Sequence, residues 1–147
     1  MRVFISFLFI LASTYSLSCD CVTEVEMSLE FHRTKYVSIG KVLSIKESTD
    51  GNELLVSVEI KQDFKGDKTG STVVIRTNKS PKACGYQFKV GREYLIYSNR
   101  HDRVPKHRMT SVCSRTVELS AAENDLIFIT RELNLPMNEE WEKQFKD

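Results

Sequence analysis

The sequence predicts a mainly β fold with peripheral helices, in which five short strands close into a small barrel. Three observations predict it. Short runs rich in β-branched residues alternate apolar and polar positions from residue 35 to about 116, with turn residues between them. The first run is long and carries Gly40 between its apolar pairs Val37/Ile39 and Leu43/Ile45, the mark of a bulged or bent strand. Four cysteines, two of them in "SLSCDC" (16–21), imply a disulfide framework at the chain start.

The chain opens with Arg2 and the apolar run "VFISFLFILA", then small polar residues ending in "SLS". A positive start, an apolar stretch and a small-x-small exit form a secretory signal peptide, residues 1–18. Ser16 and Ser18 supply the small side chains, so the cut is expected between Ser18 and Cys19. The run is too short to span about 30 Å of hydrocarbon. Attachment of a lipid to Cys19 is the alternative. Plain secretion fits better, because a lipobox wants leucine at the position Ser16 holds. The membrane is therefore expected as a partner only if Cys19 is lipidated.

Cleavage takes 18 residues from 147 and leaves 129, a length suited to one domain with a real core. Losing Arg2 leaves 20 basic residues against 20 acidic. A neutral balance argues against nucleic acid, whose binders carry a basic excess. A monomer is expected.

Cys19, Cys21, Cys84 and Cys113 allow three pairings. Bridging Cys19 to Cys21 makes a tight ring and is least favoured. The other two pairings tie the N-terminus to two distant points, each closing a long loop for about 4 kcal/mol in the chain-entropy model. Structural zinc usually draws on C-x(2–4)-C pairs, which C-x-C with two isolated partners matches poorly.

Val22, Val25 and Leu29 sit at helical spacing in 22–33, with His32 and Arg33 suited to the helix end. In the first strand, "KYVSIGKVLSIKES", the apolar positions are Val37 and Ile39 before Gly40 and Leu43 and Ile45 after it. Asp50-Gly51 signals a hairpin turn. "LLVSVEI" puts Leu54, Val56, Val58 and Ile60 on one face, "TVVIRT" is the third strand, and "EYLIYS" is apolar enough to be buried on both faces. "RMTSVCSRT" is the predicted fifth. Ser120 and Glu123 form a capping-box pattern before the stripe Ala122, Leu126, Ile129 and Leu133. "NLP" (134–136) ends that helix, and a short tail helix over 138–145 carries Trp141 and Phe145 on one side. Sandwiches need more strands than this, so the OB-type barrel is the expected architecture.

At this point the residues resemble a known family. Cys-x-Cys at the cleavage point, the five-stranded region, "Cys84-Gly85-Tyr86", "Cys113-Ser114-Arg115" and the softer "FKG" and "GREYLIYS" resemble the N-terminal domain of tissue inhibitors of metalloproteinases, within the netrin-like group of OB-type barrels. The domain would cover 19–133, followed by a helical tail at 134–147. The resemblance implies the pairs Cys19–Cys84 and Cys21–Cys113. It also implies that the free amine and carbonyl of Cys19 chelate the zinc of a bound metalloprotease. Asp20 would enter the specificity pocket, and Lys82 and Ala83 would flank it, with Cys21 holding the start in place. The zinc belongs to the protease, and no cofactor is expected for the chain itself.

Three departures accompany it: the family's third cysteine pair is missing, its cysteine-rich second domain is absent, and aspartate stands at position 20 where a small neutral residue is usual. The alternative is a non-inhibitory netrin-like module contacting extracellular proteins or glycans.

No enzyme constellation is present: the three histidines form no His-x-x-x-His or Glu-x-x-His pair, and there is no Gly-x-Ser-x-Gly or phosphate loop. The basic loop at 99–108 offers Arg100, His101, Arg103, Lys106, His107 and Arg108 as a candidate surface for an acidic glycan or protein, although a solvated hairpin tip is favoured. Asn78-Lys79-Ser80 is a glycosylation sequon followed by Pro81.

Overall fold

The computed structural model describes residues 19–21, 26–67 and 70–145; the predicted leader, its cleavage site and the first part of the predicted 22–33 helix lie outside the described residues. The elements are α1 (Met27–Arg33), β1 (Tyr36–Glu47), β2 (Glu53–Lys65), β3 (Thr72–Asn78), a 3-10 turn (Pro81–Ala83), β4 (Glu93–Arg100), β5 (Arg108–Met109), β6 (Val117–Glu118), a second 3-10 turn (Leu119–Ala121), α2 (Glu123–Glu132) and α3 (Glu139–Gln144). The sheet runs β1-β2-β3-β5-β4-β6, and β1 also pairs with β4. Five strands therefore close into a ring, with β6 outside it. All pairings are antiparallel except β3 with β5.

Two apolar clusters flank this ring. Val42, Val56, Val58, Val73, Ile75, Phe88, Tyr94 and Ile96 fill its interior. Val37, Ile39, Leu95 and Tyr97 face the other way and meet Phe31 of α1 and Leu126 and Ile129 of α2. The alternation along β4 divides Tyr94 and Ile96 from Leu95 and Tyr97, and this strand is buried on both faces.

β1 bends as expected: its ladder with β2 slips at Val37/Ser38, Ile39/Gly40 and Val42/Ser44. A Cβ on Gly40 would lie 2.4 Å from Val58 Cγ1, so glycine is what lets the two strands approach. The apolar positions of β1 divide between the two faces. Val37 and Ile39 turn to the helices, Val42 and Ile45 turn into the ring, and Leu43 is exposed. The change of face falls at the slip between Val42 and Ser44, just beyond Gly40.

The β1–β2 hairpin closes as the Asp50-Gly51 signal predicts. Gly51 takes φ +72°, and the Asp50 carboxylate accepts from Ser48 Oγ at 2.6 Å and Asn52 N at 3.2 Å. The predicted fifth strand shrinks to Arg108–Met109. The segment after it gives its polar groups to a loop of hydroxyls described below, and the ladder resumes only in β6.

The Ser120/Glu123 capping box does not form. Ser120 sits in the second 3-10 turn, and α2 starts at Glu123 behind Ala122, which makes no side-chain cap. Its stripe holds: Ala122, Leu126 and Ile129 are fully buried, and each large member contributes roughly 2 kcal/mol. The helix ends on Asn134 at φ +53°, with Leu135 N donating to Thr130 O at 2.8 Å, a Schellman closure one residue before Leu135-Pro136. Asn138 caps α3 by accepting from Glu140 N, and Trp141 meets Phe64 edge-on at 5.6 Å between ring centroids.

Candidate functional site

Two loops at one end of the ring receive the chain start. Cys19 bonds to Cys84 and Cys21 to Cys113, with Cα separations of 5.0 and 5.2 Å across 65 and 92 residues of chain. This is one of the two long-range pairings left open by the cysteine count. The bridges touch: Cys113 Sγ lies 3.5 Å from Cys19 Sγ and 3.9 Å from Cys84 Sγ. Cys19, Cys21 and Cys113 sulfurs cluster within 4.8 Å, a metal-like spacing whose thiolates are consumed by the disulfides. Asp20 between them is exposed.

The Cys84 loop follows β3 and is shaped by its own sequence. Pro81 starts the 3-10 turn, where its fixed φ suits the first position. Ala83 N and Gly85 N both donate to Ser80 O at 3.0 Å, and Asn78 Nδ2 donates to Ala83 O at 2.6 Å. Cys84 then takes the left-handed conformation at φ +64°. A Cβ on Gly85 would fall 1.8 Å from Asn78 O, so only glycine fits behind the cysteine. Tyr86 completes the motif: its N–H donates to Thr77 Oγ1 at 2.7 Å, and its ring packs on Phe88 and Tyr94. Burial pushes its phenol up to about 12. Lys82 and Ala83 stand exposed on this turn, next in chain to the cysteine that holds Cys19.

The Cys113 loop rests on a polar base. Thr110 Oγ1, Ser114 Oγ and Thr116 Oγ1 lie 2.9 Å from one another, and Thr110 and Thr116 also donate to Tyr97 O. Arg115 grips Asp125 of α2 with Nε and Nη2, and Tyr97 donates its hydroxyl to the same carboxylate at 2.9 Å. The Arg115–Asp125 hydrogen bonds raise the affinity of Arg115 for its proton, while burial and the Asp125 charge push the Tyr97 phenol far up. Val112 N donates to Cys84 O at 3.0 Å, so the two loops are joined by backbone as well as by sulfur. Sequence reasoning missed this support. Its signal was the crowding of hydroxyls and one arginine in "TSVCSRT".

The basic loop divides. Arg100, Arg103 and Lys106 are exposed, but His101 and Arg108 are each only 4 % exposed. His101 Nδ1 accepts from Val104 N at 3.1 Å, so its proton sits on Nε2 and is donated to Glu53 Oε1 at 3.1 Å. Arg76 bonds Glu53 Oε2 at 2.6 Å and donates through Nε to His107 Nδ1 at 3.0 Å. Burial and the Arg76 charge lower the proton affinity of His107. Burial opposes ionisation of Glu53, but the bonds from His101 and Arg76 outweigh it and hold the carboxyl low. Arg108 stacks on Tyr36, with 4.3 Å from its guanidinium carbon to the ring centroid. The six residues therefore do not form one outward face: three reach solvent, and the two histidines and Arg108 bind the loop to the sheet.

His32 is exposed at the end of α1 and lies 3.5 Å from Glu132. Lys65 Nζ, rather than His32 or Arg33, covers the helix's last carbonyls, at 2.7 Å to Phe31 O and 2.6 Å to His32 O.

No family model and no curated protein matches the chain. The two disulfides fit an oxidising, extracellular type of compartment. No helix among the described residues is long and apolar enough to cross a membrane.

Proposed function

We propose that the mature chain is a secreted inhibitor of a zinc metalloprotease, built on a netrin-like OB-type barrel and acting through Cys19. One observation carries the reading. Three residues at the predicted chain start are fastened to two separate loops, with Asp20, Lys82 and Ala83 presented outward beside the bridges. A chain start is normally the loosest part of a domain. Fastened in this way it is pre-ordered for binding, which lowers the entropy cost of association.

The chemistry follows from the protease. A catalytic zinc keeps one coordination position for water. After cleavage behind Ser18, the α-amine and carbonyl of Cys19 form a five-membered chelate that displaces this water. An α-amino group titrates at about 7.7–8.0, so neutral amine is present at physiological pH and the metal favours it further. Asp20 then points into the pocket beside the zinc, with Lys82 and Ala83 against the rim. A carboxylate in an apolar pocket is costly unless paired, so the fitting target carries an arginine or lysine there. The test is inhibition of a panel of zinc metalloproteases, with both apolar and cationic pockets, by natively processed protein. Inhibition of the cationic-pocket enzymes supports the reading, and no inhibition of any enzyme rejects it.

The Asp20 carboxylate also favours a second reading, a netrin-like binding module that inhibits nothing. Its contacts with an acidic glycan or extracellular protein would use the exposed Arg100, Arg103 and Lys106. Retention on an acidic-glycan matrix, lost when all three become alanine and accompanied by no protease inhibition, selects it.

A further inference from the structure

Cys113 Sγ touches both sulfurs of the other bridge, at 3.5 Å from Cys19 and 3.9 Å from Cys84. We propose that the four cysteines form one thiol–disulfide exchange unit, in which opening Cys21–Cys113 converts the pairing to Cys19–Cys113 with Cys21–Cys84. The exchange stands apart from any inhibitory role.

Each step balances. A monothiol of the glutathione class, as thiolate, attacks Cys21 Sγ beside the exposed Asp20. It forms a mixed disulfide there and releases Cys113 as thiolate. Cys113 then attacks the nearer sulfur, Cys19 Sγ, forming Cys19–Cys113 and releasing Cys84 as thiolate. Cys84 attacks Cys21 Sγ of the mixed disulfide, closes Cys21–Cys84 and returns the monothiol. Nothing is oxidised or reduced overall, and the thiol is a catalyst.

Proximity outlasts the first cleavage because bonds other than sulfur hold the two loops together. Val112 N donates to Cys84 O at 3.0 Å, and Arg115 anchors the Cys113 loop to Asp125. The freed thiolate therefore meets its second target without a search. Both pairings tie the same three residues to the same two loops, and they differ in which loop lies under Cys19. If the inhibitory reading holds, the exchange moves the chelating amine from the Cys84 turn to the Cys113 loop and so switches the inhibitor by thiol.

The direct test is the full chain with Cys21→Ser, which leaves Cys113 without its bridge. Non-reducing peptide mapping after acid quench should find both Cys19–Cys84 and Cys19–Cys113, with Cys84 and Cys113 each partly open to alkylation. Cys19–Cys84 alone, with Cys113 fully alkylated, overturns the proposal. Should this variant not fold, the unaltered protein in a monothiol buffer decides. Cleavage on the N-terminal side of Asp20 separates Cys19 from Cys21, so the linkages can be told apart. Crossed linkages with no net gain of thiol are expected; native linkages only, or direct passage to reduced protein, overturn it.

Discussion

Asp125 takes two hydrogen bonds from Arg115, Nε to Oδ1 at 2.8 Å and Nη2 to Oδ2 at 2.6 Å, and so ties the Cys113 loop to helix α2. Tyr97 donates its hydroxyl to Oδ1 of the same carboxylate. Removing the acceptor takes from a buried phenol and a part-buried guanidinium the carboxylate that both engage. Asp125→Ala should therefore cost about 3 kcal/mol, and Asp125→Asn less, because it keeps an oxygen for one of them. Chemical denaturation reads this as a lower midpoint with unchanged slope. Equal midpoints for Asp125→Ala and the parent would show that the contact carries no stability.

Acid should loosen the basic loop before it unfolds the domain. His107 is held below its unfolded value, so its neutral form is favoured in the fold. That contribution is complete above about pH 6.5 and is lost as pH falls through the lower folded value. Glu53 is also held low, so its share is complete above its unfolded value of 4.5 and is lost at more acid pH. Melting temperature should fall from pH 7 towards pH 4, with the first part of the drop removed by His107→Gln. A melting temperature that rises over this range would contradict the assignment.

Gly85→Ala should disturb the Cys84 turn specifically. The new methyl group meets a backbone oxygen, which cannot swing aside as a side chain can. A cost of about 1–3 kcal/mol is expected, together with a higher yield of molecules lacking Cys19–Cys84 after oxidative refolding. Peptide mapping checks the second effect, and parent-like bridging would remove the glycine from the account.

These results bear on what could be read from residues alone. The ring strands were legible because Leu54, Val56 and Val58 alternate cleanly with polar residues, and because "EYLIYS" is apolar on both of its buried faces. The helix stripe of Ala122, Leu126 and Ile129 was legible for the same reason at its own period. Three features were not. Leu43, an apolar position of the first strand, is exposed because of a slip between Val42 and Ser44 that depends on the partner strand. The capping residues Ser120 and Glu123 were overruled by a 3-10 turn that buries Leu119. His101 and Arg108 read as surface charge, yet they pair with Glu53 and stack on Tyr36, residues more than 45 positions away in the chain. At the candidate site the cysteines and glycine were visible, whereas the Arg115–Asp125 support required a helix whose placement local sequence does not encode.

Asp20→Thr should strengthen inhibition of metalloproteases whose pocket beside the zinc is apolar and weaken it for those whose pocket is cationic. An unpaired buried carboxylate costs about 1–3 kcal/mol, which corresponds to roughly 5- to 150-fold in the inhibition constant. Inhibition constants for parent and variant against one enzyme of each kind check it. No difference on either enzyme would mean that Asp20 does not enter the pocket.

The central claim is that a free amine on a fastened Cys19 is the inhibitory group. The most direct measurement compares two preparations against the same zinc metalloprotease: protein beginning at Cys19, verified by N-terminal mass, and the same protein with one extra alanine before Cys19. The account predicts inhibition by the first and its loss in the second, with both equally stable. Equal inhibition by the two, or none by either across the panel, would contradict it.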